Sequence, residues 1–387
     1  MLKCTSVFTY EIDRPEVALD EIKAQLDKNI KLLDNTVGII MCHTEFISTG
    51  VLEFICKNLP FDVAGITTAS QAVNNEAGEL ILTIFIMTSD DISFKTGITE
   101  SLESSLFDPV KKAYDVASKG ESGLPGLLLV FTPFHVTIHS GNEYIRTWNE
   151  ILPSVPLFGT VAVDDTAAFE DSKTIYNGIC SDNAMSFVML YGDINPRFLI
   201  ATLPEDTVLS LKGKATKTKG NFVYEVNDIN TLKFFTDAGI PKKMATVPLM
   251  ISPPVSDTND EVSVIRELFS YTDEGVGILG GDVEEGSTIS VLSFKPENIK
   301  STFKNRVERI NANKDVNGVL IFSCVSRRKA LLAVFEDPAE LHIARDDIRQ
   351  DIPFMMGYSG GEFCPVASVA GTLNNRFHNY SAAILLI

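Results

Sequence analysis

Arg327 and Glu362 carry the charges that best fit a small zwitterion. Arg327 presents a planar fork that binds a carboxylate through two parallel hydrogen bonds, and Glu362 can meet an ammonium group. Glu362 closes the glycine-rich run Gly357-Tyr358-Ser359-Gly360-Gly361. Together the two charges suit an amino acid; the competing reading is that they satisfy each other or their neighbours in a buried turn. Asp164 and Asp165 add a second acidic pair, a pattern more often solvated than functional. Cys324 and His378 are the ingredients of an activated thiolate, which needs a base at hand, but free cysteine is among the most buried residue types and a packed thiol is the expected state. His135 and His139 stand four apart, a helical metal-ligand spacing, yet they follow a strand and lack a catalytic Glu. The glycines do not open a helix after a strand as a dinucleotide fingerprint requires, and the chain has no phosphate loop or Gly-x-Ser-x-Gly elbow. No metal or cofactor is expected.

The elements that must position these residues recur three times. The first copy reads Asp13-Arg14-Pro15-Glu16, with Asp13 as the expected helix cap, then an apolar stripe at Ile22, Leu26, Ile30 and Leu33. Gly38, a buried strand Ile39 to Met41, a polar loop Cys42 to Glu45, a helix near Gly50 to Lys57, the turn Pro60 to Gly65 and a strand Leu80 to Met87 follow. The second copy runs from Asp108-Pro109 through a strand Leu127 to Phe131, the loop Thr132 to His135 and Pro156-Leu157-Phe158-Gly159 to a strand Ser186 to Tyr191. The third runs from Pro296 through a helix with Ile299, Phe303, Val307 and Ile310 on one face, a strand Val319 to Phe322 and a loop Ser323 to Arg327. It ends in Pro353 to Gly357 and the strand Ala382 to Ile387. Matched Pro and Gly punctuation in one order argues for true repetition. The fold class is α/β, with repeated strand-helix-strand modules, mixed sheets and two halves, 1–220 and 221–387. Residues 204 to 294 have room for a truncated fourth copy, and the Lys-rich stretch Lys212 to Lys219 reads as a hairpin or linker between the halves. Ligands of such sheets sit at the strand carboxyl ends.

Composition sets the boundaries of function. The 387 residues are 45% hydrophobic and 22% charged, enough for about two domains with real cores. The net charge of -18 repels phosphate backbones, so no nucleic-acid partner is expected. No apolar run reaches the roughly 18 residues of a membrane span, and the N-terminus lacks the pattern of a secretory signal, so a cytoplasmic protein without membrane insertion is expected. The six cysteines are scattered and expected to be reduced.

Val319-Leu320-Ile321-Phe322-Ser323-Cys324-Val325-Ser326-Arg327, followed by Gly357-Tyr358-x-x-Gly361-Glu362-x-x-Pro365 and Phe377-His378-Asn379, resembles the C-terminal half of the FIST domain family. Pro156 to Gly159 with Asp164, then Thr174-Ile175-Tyr176-Asn177-Gly178, resembles its N-terminal half; Phe222 to Asp228, Arg266 and Glu285-Gly286 also fall where the pattern expects them. Ser326 stands where a glycine is common, and Asn227-Asp228 replaces an Asp-Gly turn. The resemblance implies a non-catalytic sensory module that binds a small ligand, an amino acid or related carboxylate first, and signals through a separate output protein. The ligand-contacting set it implies is Ser323, Cys324, Arg327, Gly357, Tyr358, Gly361, Glu362, Asn379, Gly159 and Asp164. A Cys324-dependent enzyme and a ligand-free interaction scaffold are the rival readings.

Overall fold

The computed structural model describes residues 2–166, 168–204, 207–242, 247–254, 263–335, 339–367 and 371–387. Three modules follow one element order. The first comprises β1 (Lys3–Thr9), α1 (Pro15–Asn29), β2 (Asn35–Cys42), α2 (Glu45–Ser48), α3 (Val51–Asn58), β3 (Asp62–Thr67), the hairpin β4 (Gln71–Val73) and β5 (Glu76–Gly78), and β6 (Leu82–Ser89). The second comprises β7 (Ser93–Ile98), α4 (Phe107–Ala117), β8 (Leu127–Thr132), α5 (Gly141–Ile151), β9 (Leu157–Val161), the hairpin β10 (Thr174–Tyr176) and β11 (Ile179–Ser181), and β12 (Ser186–Tyr191). The third opens with β13 (Arg197–Ala201) and is then interrupted by β14 (Val208–Lys219), β15 (Phe222–Val226), β16 (Ile229–Asn230), α6 (Thr231–Asp237), β17 (Val247–Ser252), β18 (Val264–Tyr271), β19 (Gly277–Leu279) and β20 (Thr288–Ser293). It resumes as α7 (Pro296–Ala312), β21 (Val319–Cys324), α8 (Val325–Leu332), α9 (Ala339–Asp347), β22 (Phe354–Ser359), the hairpin β23 (Glu362–Ala367) and β24 (Leu373–His378), and β25 (Ala382–Leu386).

Each module forms a mixed sheet, but lends its hairpin to a neighbour. The sheets are β1-β6-β2-β3-β10-β11, β7-β12-β8-β9-β23-β24 and β13-β25-β21-β22-β4-β5. The second module's hairpin thus extends the first sheet, the third's the second, and the first's the third. The parallel pair in each sheet, β2–β3, β8–β9 and β21–β22, is joined through a helical crossover as parallel strands require. Residues alternate between faces: Ile39 and Met41 join an inner core with Leu129, Phe131, Phe158, Leu320 and Phe322 from the other sheets, while Ile40 and Cys42 pack outward under α1 and α3. Phe322 stacks on Phe158 (centroids 5.2 Å) and meets Phe131 edge-on (6.2 Å). The expected face of α7 is buried at all four positions.

Four expectations are corrected. Residues 204 to 294 are not a fourth copy: β14 bonds both β20 and β15, closing an antiparallel barrel in the order β14-β20-β17-β18-β19-β15. The long β14 curls through register shifts between Ser210 and Lys212 and between Ala215 and Lys217, which allows closure. Its lysines point out while Gly213 and Ala215 face in, and Gly220, at φ +59°, turns the chain into β15 as a hairpin. Ser323 to Arg327 is not a loop; Ser323 and Cys324 end β21 and Val325 begins α8, where Arg, Lys, Ala and Leu favour a helix. The Pro-to-Gly segments are strands rather than turns: Asp62 to Gly65 lies in β3, Leu157 to Gly159 in β9 and Phe354 to Gly357 in β22, each paired in parallel with its neighbour, which leaves Gly360 and Gly361 as the turn. Asp13 does not cap α1; the Glu11 carboxylate accepts from the N–H groups of Asp13 and Arg14, at 3.1 Å each.

Candidate functional site

The strand carboxyl ends of the three sheets meet one another. The Val163 N–H donates to the Thr67 carbonyl (3.3 Å), the Gly360 N–H to the Val161 carbonyl (3.0 Å) and Thr68 Oγ1 to the Tyr358 carbonyl (2.7 Å). Val163, Phe169 and Val325 pack with Phe134 in an apolar cluster over this junction, and Lys329 Nζ lies 4.7 Å from the Phe169 ring centre. The loops that open sheets use for ligands are here spent on each other.

Arg327 is fully buried, and so is its partner, which is Glu340 rather than Glu362. Its Nε and Nη2 donate to Glu340 Oε1 at 3.1 and 2.7 Å. Its remaining donors reach the carbonyls of Thr202 (3.2 Å), Tyr380 (3.3 Å) and Ile299 (3.4 Å) and Thr302 Oγ1 (3.1 Å). Ser323 donates to Glu340 Oε2 (2.8 Å). The guanidinium therefore clamps α7, α8, α9 and the chain after β13 together, and offers no fork to a ligand. Glu362, also fully buried, accepts from Ser359 (2.8 Å) and Ser381 (2.6 Å); burial pushes its carboxyl well above the ordinary range, against the pull of those hydroxyls and of Arg327. Burial, then the charges of Glu362 and Glu267, likewise push the Cys324 thiol up, away from the reactive thiolate.

The other expected residues are packed or hydrogen-bonded within the protein. Asp164 accepts from the N–H groups of Thr166 (2.6 Å) and Asp171 (2.7 Å), fixing its own loop. A Cβ at Gly159 would lie 2.0 Å from the Val130 carbonyl oxygen, one at Gly357 2.2 Å from Met41 Cε, and one at Gly361 2.3 Å from the Phe377 ring. Tyr358 is fully buried in the third module's outer core. His139 is hydrogen-bonded to the Leu102 carbonyl (2.6 Å), and no metal-binding group of His, Cys, Asp or Glu exists among the described residues.

Asn379 is different. It is 2% exposed, neither end of its side-chain amide has a hydrogen-bond partner, and it lines a cavity of ≈380 Å³. A buried amide left without partners costs free energy unless something fills its need. The cavity lies between the inserted barrel (Met250 on β17; Val264 and Ile265 on β18) and the threefold core (Ile200 on β13; Arg376 and His378 on β24), and Pro204, Thr207 and Ser263 are also in its wall. Arg376 is half-buried and makes no ion pair or side-chain hydrogen bond among the described residues; it also lines a neighbouring cavity of ≈490 Å³ with Arg266 and Asp282. Burial drops the His378 imidazole to about 4, so the ring is neutral at pH 7, and its Nε2 is bonded to the Cys364 carbonyl (3.0 Å). Arg266 ties the barrel to the core by donating to the Phe377 carbonyl (3.0 Å) and Asn142 Oδ1 (3.3 Å), and Ser326 donates to Glu267 on the barrel side. Sequence reasoning missed Arg376, although strand alternation puts it on the same face of β24 as His378. It also missed Glu340, thirteen residues beyond Arg327 and in another helix.

The chain is thus a threefold α/β core with an inserted barrel and a cavity at their junction. Residues 36–229 match the FIST N domain and residues 231–365 the FIST C domain, and the chain belongs to the FIST family. FIST domains are sensory modules of signal transduction. No curated protein matches the chain. Among solved structures, a cyanuric acid hydrolase from A. caulinodans is 8% identical, covering 100% of this chain and 98% of that one with a TM-score of 0.32, too low to carry an argument. No described helix is long and apolar enough to cross a membrane.

Proposed function

We propose that the chain is a non-catalytic sensor for a small carboxylate, an amino acid or a related acid, held in the cavity between the inserted barrel and the threefold core. The observation that carries this reading is the meeting, in one wall, of a guanidinium without an ion partner and an amide without hydrogen bonds among the described residues. Arg376 would take the carboxylate through its fork, and Asn379 would supply the remaining polar contact. Arg327, the arginine that the motif singles out, holds the scaffold behind this wall. Occupancy would brace β18 of the barrel against β24 of the core, and that change in restraint would be read by a separate output protein. The raised Cys324 thiol favours sensing over thiolate chemistry.

A ligand that binds only the folded chain raises its melting midpoint by mass action. A thermal-shift panel of amino acids and small organic acids should give a saturable shift that Arg376→Gln abolishes while its own midpoint without ligand stays near that of the parent. A saturable shift that persists in Arg376→Gln would move the ligand elsewhere.

A further inference from the structure

We infer that the groove between the C-terminal ends of α1 and α3 is a docking site for an acidic amphipathic helix of a partner protein. The groove encloses ≈630 Å³, within the range of about 300–1,000 Å³ common for ligand sites. Both helices stop abruptly there. Ile30 and Leu59 leave them in extended conformation, their N–H groups still donating to the carbonyls of Leu26 (3.0 Å) and Ile55 (3.1 Å), and the residues around these two stops line the gap. The floor is apolar: Leu26 and Leu59 are buried, and Ile30 and Leu32 half-buried. Three exposed lysines, Lys23, Lys28 and Lys31, line the groove against one acid, Asp27, on a chain whose net charge is -18. None of the three makes an ion pair among the described residues, whereas Lys57, in the last turn of α3, is held by Glu53. A lysine in the last turn of a helix answers the helix dipole, which accounts for Lys28; Lys23 lies before that turn and Lys31 beyond the helix.

The lining decides the form of the partner. No lining residue belongs to a strand, so there is no sheet edge to extend, and an apolar floor under a charged rim takes the face of a helix whose anchors fall at i, i+3, i+4 and i+7. Carboxylates flanking that face meet the lysines. A bilayer or a nucleic acid would present its anionic surface to the whole charge of -18 and be repelled, while screening over about 8 Å at physiological salt leaves a short helix mainly in the field of the groove. This docking does not depend on the carboxylate reading; it gives an output protein a place on the first module.

Fluorescence anisotropy on the full chain, at about 0.15 M salt, tests this with a labelled helical peptide that carries leucine at that spacing and glutamate elsewhere. Saturable binding is expected. Serine in place of the peptide's leucines should weaken it at least tenfold, and so should Lys23→Glu, Lys28→Glu and Lys31→Glu combined in the chain. All three lysines are exposed, so the triple variant should keep the parent's melting midpoint. Pro60→Glu, at an exposed position on the α3 side of the groove, should weaken the peptide likewise and serves if the triple variant does not fold. The inference is overturned if the peptide does not bind saturably, or binds both variants as tightly as the parent. Binding retained by the serine peptide would reduce the site to bare charge attraction and overturn it too. So would co-sedimentation with phosphatidylserine vesicles that the triple variant loses while the peptide stays unbound, which assigns the lysines to a membrane. None of these outcomes bears on the carboxylate reading, which the thermal-shift panel tests separately.

Discussion

Arg327 and Glu362 were visible in the sequence as charges with chemistry to perform, but what they face was not. Both guanidinium and carboxyl are fully buried, and the partners that consume them, Glu340, Ser359 and Ser381, come from other elements. Replacing Arg327 by Ala leaves Glu340 charged and unpaired in the interior, a loss of about 3–5 kcal/mol. Chemical denaturation should therefore show a large fall in midpoint, where a mere ligand-contacting arginine would leave the midpoint unchanged. His378 sets a pH limit. Its folded value, about 4, lies below the ordinary 6.5, so its contribution is fully present above pH 6.5 and is lost as the pH falls toward 4. The shift corresponds to about 3 kcal/mol. Urea midpoints should decline from pH 7 to pH 4.5 in the parent and decline less steeply in His378→Asn.

At the scale of elements, the Pro-to-Gly punctuation read in the sequence has a physical cause. Gly65, Gly159 and Gly357 hold the same register opposite Ile40, Val130 and Phe322 in the three parallel pairs. In the first two, a Cβ would lie 1.7 and 2.0 Å from the carbonyl oxygen across the pair, a collision with backbone that no rotamer relieves. In the third it would meet the flexible end of Met41. Gly65→Ala and Gly159→Ala should thus prevent folding or lower the melting midpoint severely, and Gly357→Ala should be the mildest of the three. Equal effects would mean that the register does not hold. The strands β2, β6, β8, β12, β21 and β25 were legible from their continuous apolar runs, and α7 buries its predicted stripe in full, whereas β3, β9 and β22 read as turns because each follows a Pro and carries a Gly. The hairpins β4–β5 and β10–β11 and the inserted barrel were not legible, since three-residue strands leave almost no period and the closure of β14 depends on distant partners.

At the scale of the molecule, the cyclic exchange of hairpins means that no module completes its sheet alone. The division between the FIST N and FIST C matches falls at residue 230, within the barrel, and separates β14 and β15 from β17 to β20. Chains 1–230 and 231–387 produced separately should each fail to show a cooperative melt, and should recover one when refolded together; independent melts of both halves would contradict the exchange. The cavity between barrel and core exists because the barrel docks on the core, so on the proposed reading sensing would depend on the whole assembly. Hydrogen exchange, with and without the carboxylate that shifts the melt most, tests this account most directly. It predicts slowed exchange in residues 200–204, β18 and β24, with the loops Cys42 to Glu45 and Thr132 to His135 unchanged. Slowing confined to those loops, with β18 and β24 unaffected, would contradict it.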